Sequence, residues 1–161
     1  MGFAFNKIGR KYGTRIDIKS ARDRRFLYKF YIGENEMSAK NKEIVEKVNA
    51  SFAGGSVEGF LSNCADDVVW TMVGNKTTKG KTAIREWLSS MDVGPPKFTV
   101  NNIIAEGDFV TVHGDMTMKE KDGQTVPYAY CDIYRFQNGK IAELNSFVIK
   151  TEAKAEGAGG T

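Results

Sequence analysis

The sequence contains little of what metal and redox sites are built from. It has one histidine, His113, and two cysteines, Cys64 and Cys131. One histidine excludes a multi-histidine metal site within a single chain, and the cysteines lack the short spacing of zinc ligands. We therefore expect no bound metal. Two free thiols are typical of a reducing compartment, so we predict a cytoplasmic protein.

The motifs of common cofactor-dependent enzymes are missing as well. No glycine-rich loop is followed by Lys-Ser or Lys-Thr, and no serine stands in a nucleophile elbow. No apolar run reaches the length of a membrane-spanning helix. These absences predict a protein that has no cofactor and no membrane partner.

The basic excess of the chain is confined to its first part. Residues 1–36 hold nine Lys and Arg against four Asp and Glu, whereas residues 37–161 hold fourteen against sixteen. Three interpretations compete: an arm that binds nucleic acid or membranes, a targeting leader, or an extension that is not part of the fold. We favour the extension, because Met37 opens a well-formed domain start. We therefore expect no nucleic-acid partner.

The rest of the pattern predicts one domain at residues 37–152 and a flexible tail at 153–161. Helical periodicity predicts helices at 38–52 with Ser38 as N-cap, at 57–63 and at 81–91. Strands are predicted at 68–73, 98–106, 108–119 and on both sides of a turn within 126–150, with a turn at 65–67 and a polar loop at 74–80. Helices followed by strands indicate an α+β fold, in which three helices pack on one side of a mostly antiparallel sheet.

The segment VPYAYCDIYRFQNGKIAELNSFVIK carries the clearest signal of the chain. Asn138-Gly139 between two apolar runs predicts a β-hairpin. Because side chains alternate along a strand, Asp132 shares a face with the aromatic residues Tyr128, Tyr130, Tyr134 and Phe136. Partial desolvation among these rings should raise the pKa of Asp132. Such an acid is either a catalytic group or a surface acid on a twisted edge strand.

Three segments in order carry a family resemblance: FLSNCADDVVWTMVG, KGKTAIREWL and CDIYRFQNGKI. Together they resemble the nuclear transport factor two-like superfamily, and within it the ketosteroid isomerases and SnoaL-type polyketide cyclases. The resemblance covers about residues 38–151. It implies a cystatin-like cone, in which a curved sheet wraps around an apolar pocket and helices close the narrow side. This scaffold hosts enzymes and binding proteins alike.

The resemblance implies a ligand site in the pocket, but the usual catalytic residues of ketosteroid isomerases are not all present. Asp132 matches the protonated acid of ketosteroid isomerases, whereas the position of their base falls at Met72 and their tyrosine falls near Val48. Replacement groups are expected on the strand at 108–119, with Thr111, His113 and Asp115 facing the pocket. His113 would then pair with an acid, or alternatively hydrogen-bond a core tyrosine. Limonene epoxide hydrolases place an arginine two residues before an aspartate on this strand, and His113-Gly114-Asp115 keeps only the acid.

We therefore predict a small-molecule pocket protein, an isomerase or cyclase that uses acid–base chemistry on a small apolar carbonyl compound. The alternatives are a non-catalytic binding protein for a hydrophobic molecule and a dimeric assembly module with a vestigial pocket. The predicted catalytic residues are Asp132, Asp115 and His113, and the predicted ligand-binding residues are Trp70, Met72, Tyr128, Tyr130, Thr111, Leu144 and Ser146. A homodimer is expected through an outer sheet face that carries Val110, Val112, Ile133 and Phe147.

Overall fold

The computed structural model describes residues 21–91, 97–120 and 123–152. The helices are α1 (Ala21–Ala53), α2 (Val57–Leu61) and α3 (Lys81–Ser89). The strands are β1 (Cys64–Met72), β2 (Lys76–Lys79), β3 (Lys97–Glu106), β4 (Phe109–Lys119), β5 (Thr125–Gln137) and β6 (Lys140–Lys150). The expectations for residues 1–20 and for the tail at 153–161 lie outside the described residues.

Helix α1 begins well before the predicted position. It runs unbroken through Met37 and Ser38, so the prediction that Ser38 caps a helix start is wrong. The preceding segment contains no proline, and a single glycine, Gly33, costs a helix only about 1 kcal/mol. The earlier turns expose apolar side chains such as Tyr28, whereas Val45 and Val48 are fully buried near the other end. Whether residues 1–36 can be removed without loss of the fold stays a prediction.

Six strands of the described chain form one sheet in the order β2-β1-β6-β5-β4-β3. Strand β1 pairs in parallel with β6, and the other neighbouring strands are antiparallel. The expected α+β class is therefore confirmed, with a mostly antiparallel, curved and unclosed sheet. Helix α1 packs against β3 and β4, and α3 packs against β1 and β2. This arrangement leaves one face of the sheet towards the helices, which we call the inner face.

Two local predictions on this side of the sheet are wrong. The expected polar loop at 74–80 contains strand β2, which is built of Lys and Thr and pairs with β1. The expected turn at 65–67 lies inside β1, where the register with β6 shifts between Cys64 and Val69. Asp66 and Asp67 are exposed within this irregular part of the strand. Two consecutive aspartates are also typical of turns, and the sequence pattern was therefore misleading.

The β5–β6 hairpin is formed as predicted. Gln137 pairs with Lys140 across the turn, and both central residues have positive φ, 52° at Asn138 and 72° at Gly139. Asparagine and glycine tolerate this conformation best, and it matches the twist of the two strands. The register of the two strands shifts once, between Arg135 and Phe136, and the buried residues Tyr130, Tyr134 and Phe136 share one face of β5. Among the described residues, no helix is long and apolar enough to cross a membrane.

Candidate functional site

A cavity of about 490 Å³ lies between the inner face of the sheet and helices α1 and α3. Most of its wall is apolar, and both helices and five of the strands contribute to it. The apolar residues include Phe52, Trp70, Met72, Phe98, Met116 and Val148. The polar and charged side chains of the wall are Asn49, Lys97, Thr117, Lys119, Thr125, Tyr130, Asp132 and Ser146. An apolar cleft of this size with few polar groups is the usual form of a small-molecule site.

Asp132 is the carboxylate in this wall. It lies on β5 opposite Val112 of β4 and Ser146 of β6, both of which are buried. Burial raises the pKa of Asp132 to about 6, and a hydrogen bond from Ser146 acts in the opposite direction. The side chain is only partly accessible, and the pocket is the space that it borders. An acid with this pKa is able both to give and to take a proton near neutral pH.

Ser146 connects Asp132 to the aromatic part of the wall. The indole Nε1 of Trp70 donates a buried hydrogen bond of 2.9 Å to the Ser146 hydroxyl oxygen. The Ser146 hydroxyl is then free to donate its own proton to the Asp132 carboxylate, to which it is hydrogen-bonded. The ring of Trp70 is held in turn by edge contacts with Phe60 and Trp87, at centroid distances of 5.3 and 5.1 Å. A chain of packed groups therefore orients the carboxylate.

Tyr130 forms the wall next to Asp132 because Gly114 leaves room for it. Gly114 of β4 lies opposite Tyr130, and a Cβ at this position would stand 1.8 Å from the Thr99 carbonyl oxygen and 2.9 Å from the Tyr130 ring. The Tyr130 hydroxyl donates to that same carbonyl at 3.3 Å. Burial raises the pKa of Tyr130 to about 12, so the phenol stays protonated at neutral pH.

The structure corrects the expected orientation of β4. Val110 and Val112, predicted to face outward, have no exposed surface and lie opposite Tyr134 and Asp132 on the inner face. By strand alternation Thr111, His113 and Asp115 are on the outer face, and none of them lines the cavity. Burying two valines is favourable, whereas burying a histidine and a carboxylate costs free energy.

The outer-face groups have polar partners of their own. His113 Nε2 lies 3.0 Å from the Asn102 amide nitrogen, and Asn101 donates to the Asp115 carboxylate at 3.1 Å. Both asparagines are on β3, next to a bulge between Val100 and Asn102. Neither an Asp115–Asp132 acid–base pair nor a bond from His113 to a core tyrosine is therefore present.

Most of the remaining sequence-predicted residues line the cavity. Trp70, Met72, Tyr130, Asp132 and Ser146 line the cavity together. Leu144 is buried in the core without reaching it. Tyr128 also lies outside the lining, and its hydroxyl donates to Glu120 at 2.9 Å.

The sequence interpretation missed the contribution of α1. Asn49 lines the cavity one helical turn before Phe52, and it follows the fully buried Val48. Helical spacing of apolar residues could have placed Asn49 at the edge of the buried stripe. Among the described residues, no three His, Cys, Asp or Glu side chains come together as a metal site.

A protein-family model matches most of the described domain. The model of the SnoaL-like domain matches residues 45–144, which include Asn49, Trp70, Asp132 and most of the cavity wall. No curated protein shows significant similarity to the sequence.

Solved structures share the fold. An NTF2-like protein of unknown function from Cytophaga hutchinsonii is 25% identical with a TM-score of 0.58, over 70% of this chain and 99% of that one. TerC, co-crystallised with polyporic acid, is 23% identical with a TM-score of 0.60, over 66% and 89%. An LEH-like epoxide hydrolase from M. tuberculosis is 18% identical with a TM-score of 0.61, over 69% and 84%. The last two show the fold alone.

Proposed function

Because the chain belongs to the SnoaL-like domain family, whose fold relatives include isomerases, cyclases and epoxide hydrolases, we propose that it acts on a small apolar carbonyl compound by acid–base catalysis. The observation that carries this proposal is Asp132, the one carboxylate among the described residues that line the apolar cavity. Its pKa, raised to about 6 by burial, suits it to proton transfer.

In the proposed reaction, the ionised Asp132 takes a proton from the carbon next to the carbonyl group. The electron pair of the broken C–H bond moves to the carbonyl oxygen and forms an enolate. Return of the proton from Asp132 to a different atom gives an isomer. Alternatively, the enolate carbon attacks a second carbonyl carbon, a C–C bond closes the ring as the C=O π bond breaks, and the resulting alkoxide takes the proton from Asp132. No external oxidant or reductant is needed in either case.

A screen for ligands is the first test of this proposal. Thermal shift against steroids, polyketide-like aromatics and fatty acids should reveal binding, since a ligand that binds only the folded state raises its stability by mass action. A ligand found in this way should be turned over by the wild type, faster above pH 6 than below it. If no compound of these classes raises the melting temperature, the proposal of an apolar-molecule pocket is wrong.

A non-catalytic binding protein is the second candidate. His113 and Asp115 lie outside the cavity, which favours this candidate. Among the described residues of the wall, Asp132 therefore has no second carboxylate or imidazole beside it. The two candidates differ in one measurement. A binding protein would hold its ligand equally well in wild type and Asp132→Asn and would turn it over in neither.

We further propose a homodimer that forms through the outer face of the sheet. Large apolar side chains are exposed there, with Ile104 and Ile149 each 65% accessible and Phe109 and Phe147 also exposed, while Ile133 is half-buried. Patches of this kind commonly mark interfaces. The wild type should sediment as a dimer at micromolar concentration, and Ile149→Glu should weaken the dimer. A monomeric wild type would contradict this part of the proposal.

The cytoplasm is the compartment that we propose. Cys64 and Cys131 are both unpaired in the structure, and Cys64 is buried. Free thiols of this kind suit a reducing environment.

A further inference from the structure

One polar group in the cavity wall has no partner within the protein. The side-chain amide nitrogen of Asn49 is buried and makes no hydrogen bond, although the residue lines the cavity. Buried polar groups in folded proteins are almost always hydrogen-bonded, and an exception calls for an explanation. Leaving such a donor unpaired costs on the order of 1–3 kcal/mol.

The fold places Asn49 beside the cavity, in a wall that is largely apolar. Phe52, one turn further along the same helix, is an apolar member of this wall, and none of the described residues is a hydrogen-bond partner of the Asn49 amide nitrogen. Helix α1 is packed against β3 and β4, so Asn49 is held in place by its helix. The terminal torsion of an asparagine is soft, so rotation about it can turn an N–H towards the cavity. A cavity occupant is then the natural source of an acceptor.

We propose that the Asn49 amide donates a hydrogen bond to an oxygen acceptor on the cavity's ligand, and that this oxygen belongs to the carbonyl group on which Asp132 acts. The second half of this inference rests on the proposed function. It makes Asn49 a substrate-contacting residue that stabilises the enolate oxygen while Asp132 holds the transferred proton. It also defines the ligand class: an apolar skeleton that carries a carbonyl group at hydrogen-bonding distance from α1.

The chain offers a matched control. The hydroxyl oxygen of Thr78 on β2 is also buried without a hydrogen-bond partner, but Thr78 is not among the residues that line the cavity. Replacing either unpaired group by an apolar one of similar shape should leave the fold intact or slightly more stable. Asn49→Leu and Thr78→Val therefore differ in whether the lost group faces the ligand.

The test compares two ligands that differ only in the acceptor, 2-acetylnaphthalene and 2-ethylnaphthalene. Their affinities are measured by quenching of tryptophan fluorescence, since Trp70 lines the cavity. The wild type and Thr78→Val should prefer the ketone by about tenfold, the usual value of one hydrogen bond to a buried donor. Asn49→Leu should bind both compounds equally.

The outcomes separate this inference from the proposed function. If Asn49→Leu keeps the ketone preference, or if the wild type has none, the role of Asn49 is refuted. Failure of both compounds to bind the wild type would refute it too. Exchange of the acetyl protons with deuterium in heavy water reports on Asp132 independently. Loss of ketone preference in Asn49→Leu, without proton exchange by the wild type, would support Asn49 as a ligand contact and contradict the proposed catalysis.

Discussion

The two faces of the sheet each carry an aspartate, and the two carboxyl groups have different environments. On the inner face, Asp132 is surrounded by protein and borders an apolar cavity, where burial raises its pKa to about 6. On the outer face, Asp115 is exposed, and its carboxylate accepts a hydrogen bond from the side-chain amide of Asn101. The two residues are on neighbouring strands of the same sheet. Their position relative to the core gives one of them the chemistry of a candidate acid–base and the other that of a surface polar group.

The largest expected difference between the faces is in activity. Asp132→Asn keeps the shape of the side chain but cannot take a proton, so turnover of an identified substrate should fall about 10²–10⁴-fold. Asp115→Asn should leave turnover unchanged, because it lies outside the cavity. Steady-state kinetics on both variants test this contrast. Equal losses in the two would mean that the inner face has no special role.

The next difference is in stability. Gly114→Ala would force a Cβ against the Thr99 carbonyl and the Tyr130 ring, and we expect a loss of at least about 3 kcal/mol in the free energy of unfolding. His113→Ala, at the preceding position but on the exposed outer face, should change the free energy of unfolding by less than about 0.5 kcal/mol. Urea unfolding of both variants measures the contrast. A Gly114→Ala variant as stable as wild type would disprove the close packing at this site.

The pH dependence of stability should also depend on the inner face. The pKa of Asp132 is raised from 3.8 to about 6 on folding, so between these values the folded state binds more protons than the unfolded state. Stability should therefore fall as pH rises from about 4 to 6, by up to about 3 kcal/mol from this group, and level off above. Unfolding of the wild type and Asp132→Asn across this range isolates the contribution. If the free energy of unfolding depended on pH in the same way in both proteins, Asp132 would have the same pKa in the folded and unfolded states.

A substitution on β6 should have a smaller effect, on the pH dependence of activity. Ser146→Ala removes the hydrogen bond that lowers the pKa of Asp132, so this pKa should rise above about 6, and the pH at which activity begins should rise with it. The variant also leaves the Trp70 indole N–H without its partner, at a cost of about 1–3 kcal/mol. Asn145→Ala, on the opposite face of the same strand, should leave the pH profile in place. An unshifted profile in Ser146→Ala would refute the connection to Asp132.

Part of this contrast could be predicted from the sequence. The Asn138-Gly139 turn and the alternation of β5 place Asp132 with Tyr130 and Tyr134, and the structure keeps them on one face. The same alternation in β4 separates Val110 and Val112 from Thr111, His113 and Asp115. The ordinary preference of apolar side chains for the core would have assigned that strand correctly. The expectation drawn from the family's pocket reversed it.

Other features depend on contacts that no local pattern reveals. Strand β2 is short and polar, and its pairing with β1 makes it a strand. Gly114 resembles any glycine until Tyr130 and Thr99 are placed against it. Asn49 is polar and lies on an otherwise ordinary helix face, and the missing partner of its amide is visible only in the assembled cavity.

The central claim is that Asp132, on the inner face, has a pKa raised by burial that suits it to proton transfer. The most direct test is to follow the carboxyl carbon of Asp132 by carbon-13 NMR as a function of pH, with Asp132→Asn to assign the signal. The account predicts a midpoint near pH 6, raised by burial. A midpoint at or below 3.8, the ordinary value for this side chain, would contradict it.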